Sequence, residues 1–287
     1  MTPLRKKMID DMVVRGLSDH TIKSYIQAVT GLARHYNRSP DRIEPREVQD
    51  YLLFLLRDRE LAWASCNLYR VGIRFFYRTT LGLPDARFFI PGSKQPKRLP
   101  EILNREELVR LFSLTVNRKH RALLMTAYAA GLRCSELIHL QASDIDSSRM
   151  LIRVEQGKGN KDRYVPLSPR LLEELRDYWR RCRPEGWMFP SYIAGRHMSH
   201  DGPWWIYQQA RERAGITKGG GIHTLRHCYA TNLIEAGVDL HDIQRRMGHT
   251  SPRTTMEYLH LAQGGDRSTP SPLDLLELPE LSNPRRN

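Results

Sequence analysis

The 287-residue chain reads as mainly α-helical with one small antiparallel β-sheet, shared between two bodies. Three observations predict this. Apolar residues recur at helical spacing through most of the chain. One short passage, with Leu151, Ile152 and Val154 before the turn-like GKGNKDR and Tyr164, Val165 and Leu167 after it, has the pattern of a β-hairpin. Residues 91–100, PGSKQPKRLP, hold three prolines, a glycine and three basic residues, a composition that neither continues a helix nor buries well and reads as a linker. At this length each body can bury a core of its own.

The elements follow in order. Ser18 is a good N-cap for a helix carrying Ile22, Tyr25, Ile26, Val29, Leu32 and Tyr36 on one face. Pro45 suits the first turn of a second helix, through Val48, Tyr51, Leu52, Leu55 and Leu56. A third spans about 65–80 and carries Arg70, Arg74 and Arg78, with no acid between Leu61 and Pro84. Like charges four residues apart repel in an isolated helix, so this row favours a phosphate-tracking face over an ordinary solvated one. Beyond the linker, helical patterns resume at 104–115 and 119–130. The hairpin follows, then helices at about 168–181, 203–214, 223–236, 239–247 and 252–261. The expected division is a helical domain at 1–93, a linker at 94–100, a second domain at 101–264 and a tail at 265–287. The tail's LDLLELPEL segment is apolar enough to dock on a neighbouring copy.

Composition narrows the function. Apolar residues make up 40% of the chain, as in a globular protein, and no apolar run approaches the roughly 20 residues that span a membrane. The N-terminus, MTPLRKKMIDDM, has no secretory apolar segment. Cys66, Cys134, Cys182 and Cys228 form no C-x-x-C pair and read as reduced thiols of a cytoplasmic protein. The net charge of +13 favours a polyanionic partner, nucleic acid ahead of an anionic membrane. Residues 1–95 hold 16 basic and 10 acidic side chains, whereas residues 264–287 hold 3 and 4. The rest of the surplus therefore sits in the middle section, and two basic bodies imply two DNA-contacting bodies.

Phosphoryl transfer without a metal needs a nucleophile, fixed cations around the phosphate oxygens, and an acid for the leaving oxygen. Arg133, in AYAAGLRCSEL, offers a planar fork that keeps its charge when desolvated, and Glu136 is spaced to hold that guanidinium. Taken alone, the pair is also what an ordinary helix end looks like. Lys158 lies at the hairpin tip, where most lysines are simply exposed, yet a mobile tip can reach a groove and supply a proton. The segment 222–249 is the densest. His223, Arg226 and His227 fall on one helical face, and His249 follows in RMGH. His223 and His227 have the spacing of a zinc pair, but HTLRH puts a cation where H-E-x-x-H needs a carboxylate. The same stretch fits a helix-turn-helix with Gly237 at its turn. Tyr258, in SPRTTMEYLHL, would on its own be a packing residue, since a phenol of ordinary pKa near 10 is a weak nucleophile away from cations.

In order, GLRCSEL, GKGNKDRYVPL, HTLRH, RMGH and Tyr258 resemble the tyrosine recombinase (phage integrase) family, most closely its compact Xer-type and transposon-borne members. The resemblance covers roughly residues 1–262. It implies a helical SAM-like core-binding domain and a tyrosine recombinase catalytic domain closing around DNA as a clamp. It also implies roles. Arg133 and Arg226 would clamp the scissile phosphate, and His223 and His249 would donate hydrogen bonds or trade protons there, with His223 the base for the tyrosine. Lys158 would protonate the departing 5′ oxygen, and Tyr258 would form a 3′-phosphotyrosyl bond. Arg70, Arg74, Arg78, Lys161 and Arg163 are further candidate DNA contacts. No cofactor or metal is expected. The expected partners are double-stranded DNA recombination sites, with four copies on two paired sites and a monomer in free solution; accessory DNA-binding proteins and nucleoid association belong to the same expectation. Met247 stands where the family more often has leucine, and MEYLHL is a less typical tyrosine context. Only 65 residues separate Lys158 from His223, too few for the insert of integron integrases. The rival activities are a type IB topoisomerase-like relaxing enzyme, a non-catalytic helix-turn-helix regulator and a metal nuclease.

Overall fold

A proline after Thr2 opens α1, Pro3–Val14, and the Thr2 hydroxyl accepts from the Arg5 amide at 3.3 Å. In the computed structural model, residues 2–83, 101–155, 162–249, 251–256 and 258–259 are described. The expected linker at 94–100 and tail at 265–287 lie outside them. The chain divides into two compact units, Met1–Lys97 and Arg98–Asn287.

In the first unit, α1 was not expected from the sequence. Only Met8 and Met12 of its twelve residues are buried, a stripe too narrow to stand out among the charges of PLRKKMIDDM. α2, Asp19–Tyr36, is capped by Ser18 as expected and buries Ile26, Ala28, Val29 and Leu32; it ends at Asn37 in the left-handed region. α3, Pro45–Arg57, buries Val48, Tyr51, Leu52 and Leu55. α4, Trp63–Phe75, runs into a π turn, Phe76–Thr80, where Phe76 and Tyr77 are buried. Gly72 lets α2 and α4 meet closely, since a Cβ there would stand 3.0 Å from the Tyr25 Cα. Together these helices enclose one apolar core.

The second unit is organised around α6, Arg118–Ala129, which packs on five other helices: α5 (Arg105–Ser113), α7 (Cys134–Ile138), α8 (Pro169–Cys182), α9 (Asp201–Arg213) and α10 (Ile222–Glu235). Reciprocal bonds between Asn104 and Glu107 cap α5, and Ser168 caps α8. The sheet has the order β1-β2-β3 and is antiparallel throughout, with β1 at Ile145–Asp146, β2 at Leu151–Val154 and β3 at Arg163–Pro166. Its register pairs Ile152 with Val165 and Val154 with Arg163, and puts Ile152, Val154 and Val165 into the core. The hairpin is the expected one. β1 is two residues long, too short for any periodicity to announce. α11, Leu240–Met247, is capped by Asp239 and closes at Gly248 in the left-handed region. Gly237, also left-handed, makes the turn between α10 and α11 where a helix-turn-helix reading placed it. The mainly helical architecture with a small antiparallel sheet is as the sequence predicts. One expected element is shorter: the helix of 252–261 is α12, Pro252–Met256, and Tyr258 lies in the turn after it, its amide donating to the Thr255 carbonyl at 3.1 Å.

Candidate active site

Three stretches converge on one buried ionic cluster. The first is the turn after α6. Gly131 sits at φ +58°, and a Cβ there would be 2.4 Å from the Tyr229 ring, so only glycine makes this turn. The turn delivers Arg133 to the N-cap of α7. One turn on, the Glu136 carboxylate accepts from the Arg133 amide and from Arg133 Nη1, both at 2.8 Å. The second stretch is the inner face of α10, which carries Arg226. The third runs from the end of α11 past α12.

Glu136 is shared by three guanidiniums. Arg163, the first residue of β3, binds it in a two-point fork at 2.7 and 2.8 Å and donates through Nε to the Arg246 carbonyl at 2.8 Å. Arg226 is only 1% exposed. It stands 4.0 Å from Glu136 and donates to the carbonyls of Gly131 and, at 2.6 Å, Met247. Arg133 donates its other terminal nitrogen to the Gly248 carbonyl at 2.7 Å. The cluster thus holds three positive charges against one negative. Buried charge is costly unless paired and hydrogen-bonded; the surplus stands because main-chain carbonyls accept from each guanidinium.

The titrations follow from this geometry. Burial would push the Glu136 carboxyl up, but the hydrogen bonds and charges of Arg163 and Arg133 outweigh it and hold it at about 2. Burial, then the neighbouring Arg133, lower Arg226 to about 10 against the pull of Glu136, which leaves it protonated at neutral pH. Burial and the same arginines lower His249 to about 4 and push His223 down as well. Both imidazoles are therefore neutral at pH 7.

Tyr258 is 5% exposed and packs with Tyr229, Ala230, Ile243 and Met247. Its ring lies nearly parallel to His249, 7° apart in plane and 6.2 Å between centres. His249 Nδ1 shares a 2.7 Å hydrogen bond with the Thr255 hydroxyl. The Tyr258 hydroxyl shares a 3.0 Å hydrogen bond with His227 Nδ1. His223 meets the edge of the His227 ring at 4.7 Å.

Six of the residues singled out from the sequence are thus brought together: Arg133, Glu136, His223, Arg226, His249 and Tyr258. Lys158 and Lys161 lie outside the described residues. Arg163 differs from the expectation of an outward DNA contact: a tenth exposed, it is drawn inward by the Glu136 carboxylate. In the first unit, Arg70 donates twice to the Asn67 side chain, while Arg74 and Arg78 are exposed. His227 is the residue that sequence reasoning passed over. The signal was there, at the i+4 position from His223, but it was weighed only as half of a zinc pair. Among the described residues no group of three or more His, Cys, Asp or Glu is placed to hold a metal ion, and no helix is long and apolar enough to cross a membrane.

Comparison with known proteins gives the arrangement its place. Residues 101–264 match the phage integrase family, and residues 4–85 match the phage integrase N-terminal SAM-like domain. The integrase/recombinase y4qK of Sinorhizobium fredii is 42% identical over 99% of this chain and 92% of its own length. The tyrosine recombinase XerD of Oceanobacillus iheyensis is 32% identical over 88% of this chain and 91% of its own. The crystal structure of the XerH site-specific recombinase bound to a palindromic difH substrate shares the fold, with a TM-score of 0.64 at 21% identity, covering 84% of this chain and 76% of that one. The chain belongs to the phage integrase family, the tyrosine recombinases, enzymes that break and rejoin DNA.

Proposed function

We propose that this protein is a site-specific recombinase that cuts one DNA strand at a time through Tyr258, storing the backbone linkage as a 3′-phosphotyrosyl ester. The observation that carries this is the placement of the Tyr258 phenol, hydrogen-bonded to His227 and stacked along His249, beside a cluster with two uncompensated positive charges. Arg133 and Arg226 hold the non-bridging oxygens of the scissile phosphate, each with donors left over from its carbonyl partners. Arg163 and Glu136 fix those guanidiniums. His223 and His249, neutral at working pH, contribute hydrogen bonds to the phosphate as it becomes pentacovalent. The Tyr258 Oη–P bond forms as the phenolic proton passes to His223, the base, and Lys158 protonates the 5′ oxygen as the P–O5′ bond breaks. One ester replaces another, so the bond energy is conserved and no ATP is consumed, while the guanidiniums supply the charge that a metal would otherwise provide. The freed 5′ hydroxyl of a partner duplex then attacks the ester, and two such exchanges pass through a Holliday junction.

The division of labour follows the two units: residues 1–93 grip the duplex, 101–264 perform the chemistry, and four copies assemble on two paired sites. XerH, of the same fold, was solved on its DNA substrate, which supports double-stranded DNA as the partner here.

The test is covalent capture. Nicked duplexes from a random-sequence pool should become attached to the protein, and digestion should place the DNA on Tyr258. Tyr258→Phe should bind the captured duplex as before and attach to nothing. Label on another side chain, or none from any duplex, overturns the proposal. Adding a second duplex should give exchanged strands; resealing of the original strand alone would indicate a relaxing enzyme.

A further inference from the structure

The family comparison gives no role to His227, and the sequence assigned the tyrosine's partner to His223. The geometry divides the three histidines differently. His249 lays its ring face along Tyr258 and spends Nδ1 on the Thr255 hydroxyl. His223 touches the edge of His227, one helical turn away on α10. His227 shares a hydrogen bond with the phenolic oxygen, at 3.0 Å across 31 residues of sequence, and its ring is tilted against the phenol at 5.4 Å.

We infer that His227 is a positioning residue for the nucleophile: its Nδ1 holds the Tyr258 hydroxyl at a fixed place beside the arginine cluster. This rests on Tyr258 being the nucleophile. The physical argument concerns freedom of motion. Tyr258 follows a five-residue helix and stands in a turn rather than on a regular element. Its ring packs with His249, Tyr229 and Met247, contacts that act on the ring rather than on the oxygen. A hydrogen bond to one atom of a helix-borne ring adds a directional hold on the oxygen itself. α10 also carries Arg226 on the adjacent position. The residue that grips the phosphate and the residue that places the attacking oxygen are thus neighbours on one rigid element, and the distance between oxygen and phosphorus is set by the helix. Misplacement by about 1 Å costs as much as a hundredfold in rate.

The test separates an atom from a ring. Phenylalanine at 227 keeps an aromatic ring against His223 and Tyr258 but has no polar atom. Asparagine places a polar atom where Nδ1 stands, and glutamine places one where Nε2 stands. Full-length wild type, H227F, H227N and H227Q are compared for single-turnover attachment to a nicked duplex captured on wild type, over a range of protein concentration. H227F should lose about tenfold or more in maximal attachment rate, with the half-saturating concentration unchanged. H227N should recover most of that loss and H227Q little of it. The inference is overturned if H227F attaches as fast as wild type, or if H227N is no better than H227Q. Should H227F fail to hold DNA, the H227N and H227Q pair still decides. Failure of wild type to attach any duplex through Tyr258 would instead sink the proposed function and leave the hydrogen bond without a catalytic meaning.

Discussion

The carboxylate of Glu136 is the one negative charge in a buried cluster that also holds Arg133, Arg163 and Arg226. Removing that charge leaves three guanidiniums facing one another in a low-dielectric setting, and breaking such a buried network costs about 3–5 kcal/mol. Glu136→Gln should therefore lower stability by about that much at pH 7 in denaturant melts, and abolish covalent attachment. The pH dependence has a definite sign. The folded pKa of about 2 lies below the ordinary glutamate value, so the stabilisation is complete above about pH 4.3 and fades as the pH falls toward 2. The gap between wild type and E136Q should accordingly narrow in acid; a gap that stays constant down to pH 2 would contradict the ionic account. Arg133, Arg226, His223, His249 and Tyr258 were legible in the sequence as an ordered set that resembles the tyrosine recombinases; taken singly, Arg133 reads as an ordinary helix end and Tyr258 as a packing residue. Arg163 was legible only as a charge. Nothing in RYVP says that its guanidinium folds back onto Glu136, 27 residues earlier, because that depends on where the strand register sets it.

Elements differ in how plainly they announce themselves. α2 and α3 show broad apolar stripes and good caps, and they lie within a residue of their expected bounds. α1 hides behind its charges, β1 is too short, and α12 ends at Met256 ahead of the turn at Tyr258 and Leu259, because propensity alone does not mark where a short helix yields to the turn that presents Tyr258. α4 illustrates the reverse. Its row of arginines was legible, but its ending in a π turn was not. A π turn rotates less per residue than an α-helix, which works against the drift that four-residue steps accumulate, and Arg74 and Arg78 are both exposed. Arg70 is engaged with Asn67, so Arg74 and Arg78 are the free-standing members of the row. If they track phosphates, Arg74→Ala and Arg78→Ala should each weaken binding equally across DNA sequences and reduce the salt-dependence slope by about 1. Titrations at several salt concentrations check this, and an unchanged slope assigns the row to solvent.

At the scale of the whole molecule, each unit has its own apolar core, one built from α1 to α4 and the other around α6. The second unit should accordingly fold alone. Residues 98–287 expressed separately should melt cooperatively and still attach to a nicked duplex, while binding DNA more weakly and with a shallower salt slope, having lost the seven-charge surplus of residues 1–97. Aggregation or a non-cooperative melt of this piece would show that the cores depend on each other. The two-body organisation was legible from the three prolines, glycine and basic residues of PGSKQPKRLP; the convergence of the site was not, since it joins Gly131, Arg163, Arg226, Gly248 and Tyr258 from separate elements. That convergence carries a consequence for the cell's genome. If Tyr258 is the nucleophile, a partly folded copy holds no working cutter, because Arg133, Arg226 and Tyr258 meet only once the turn after α6, the face of α10 and the segment after α12 have packed together. On that proposal scission waits for a finished fold, and the architecture itself guards against stray nicks by immature protein.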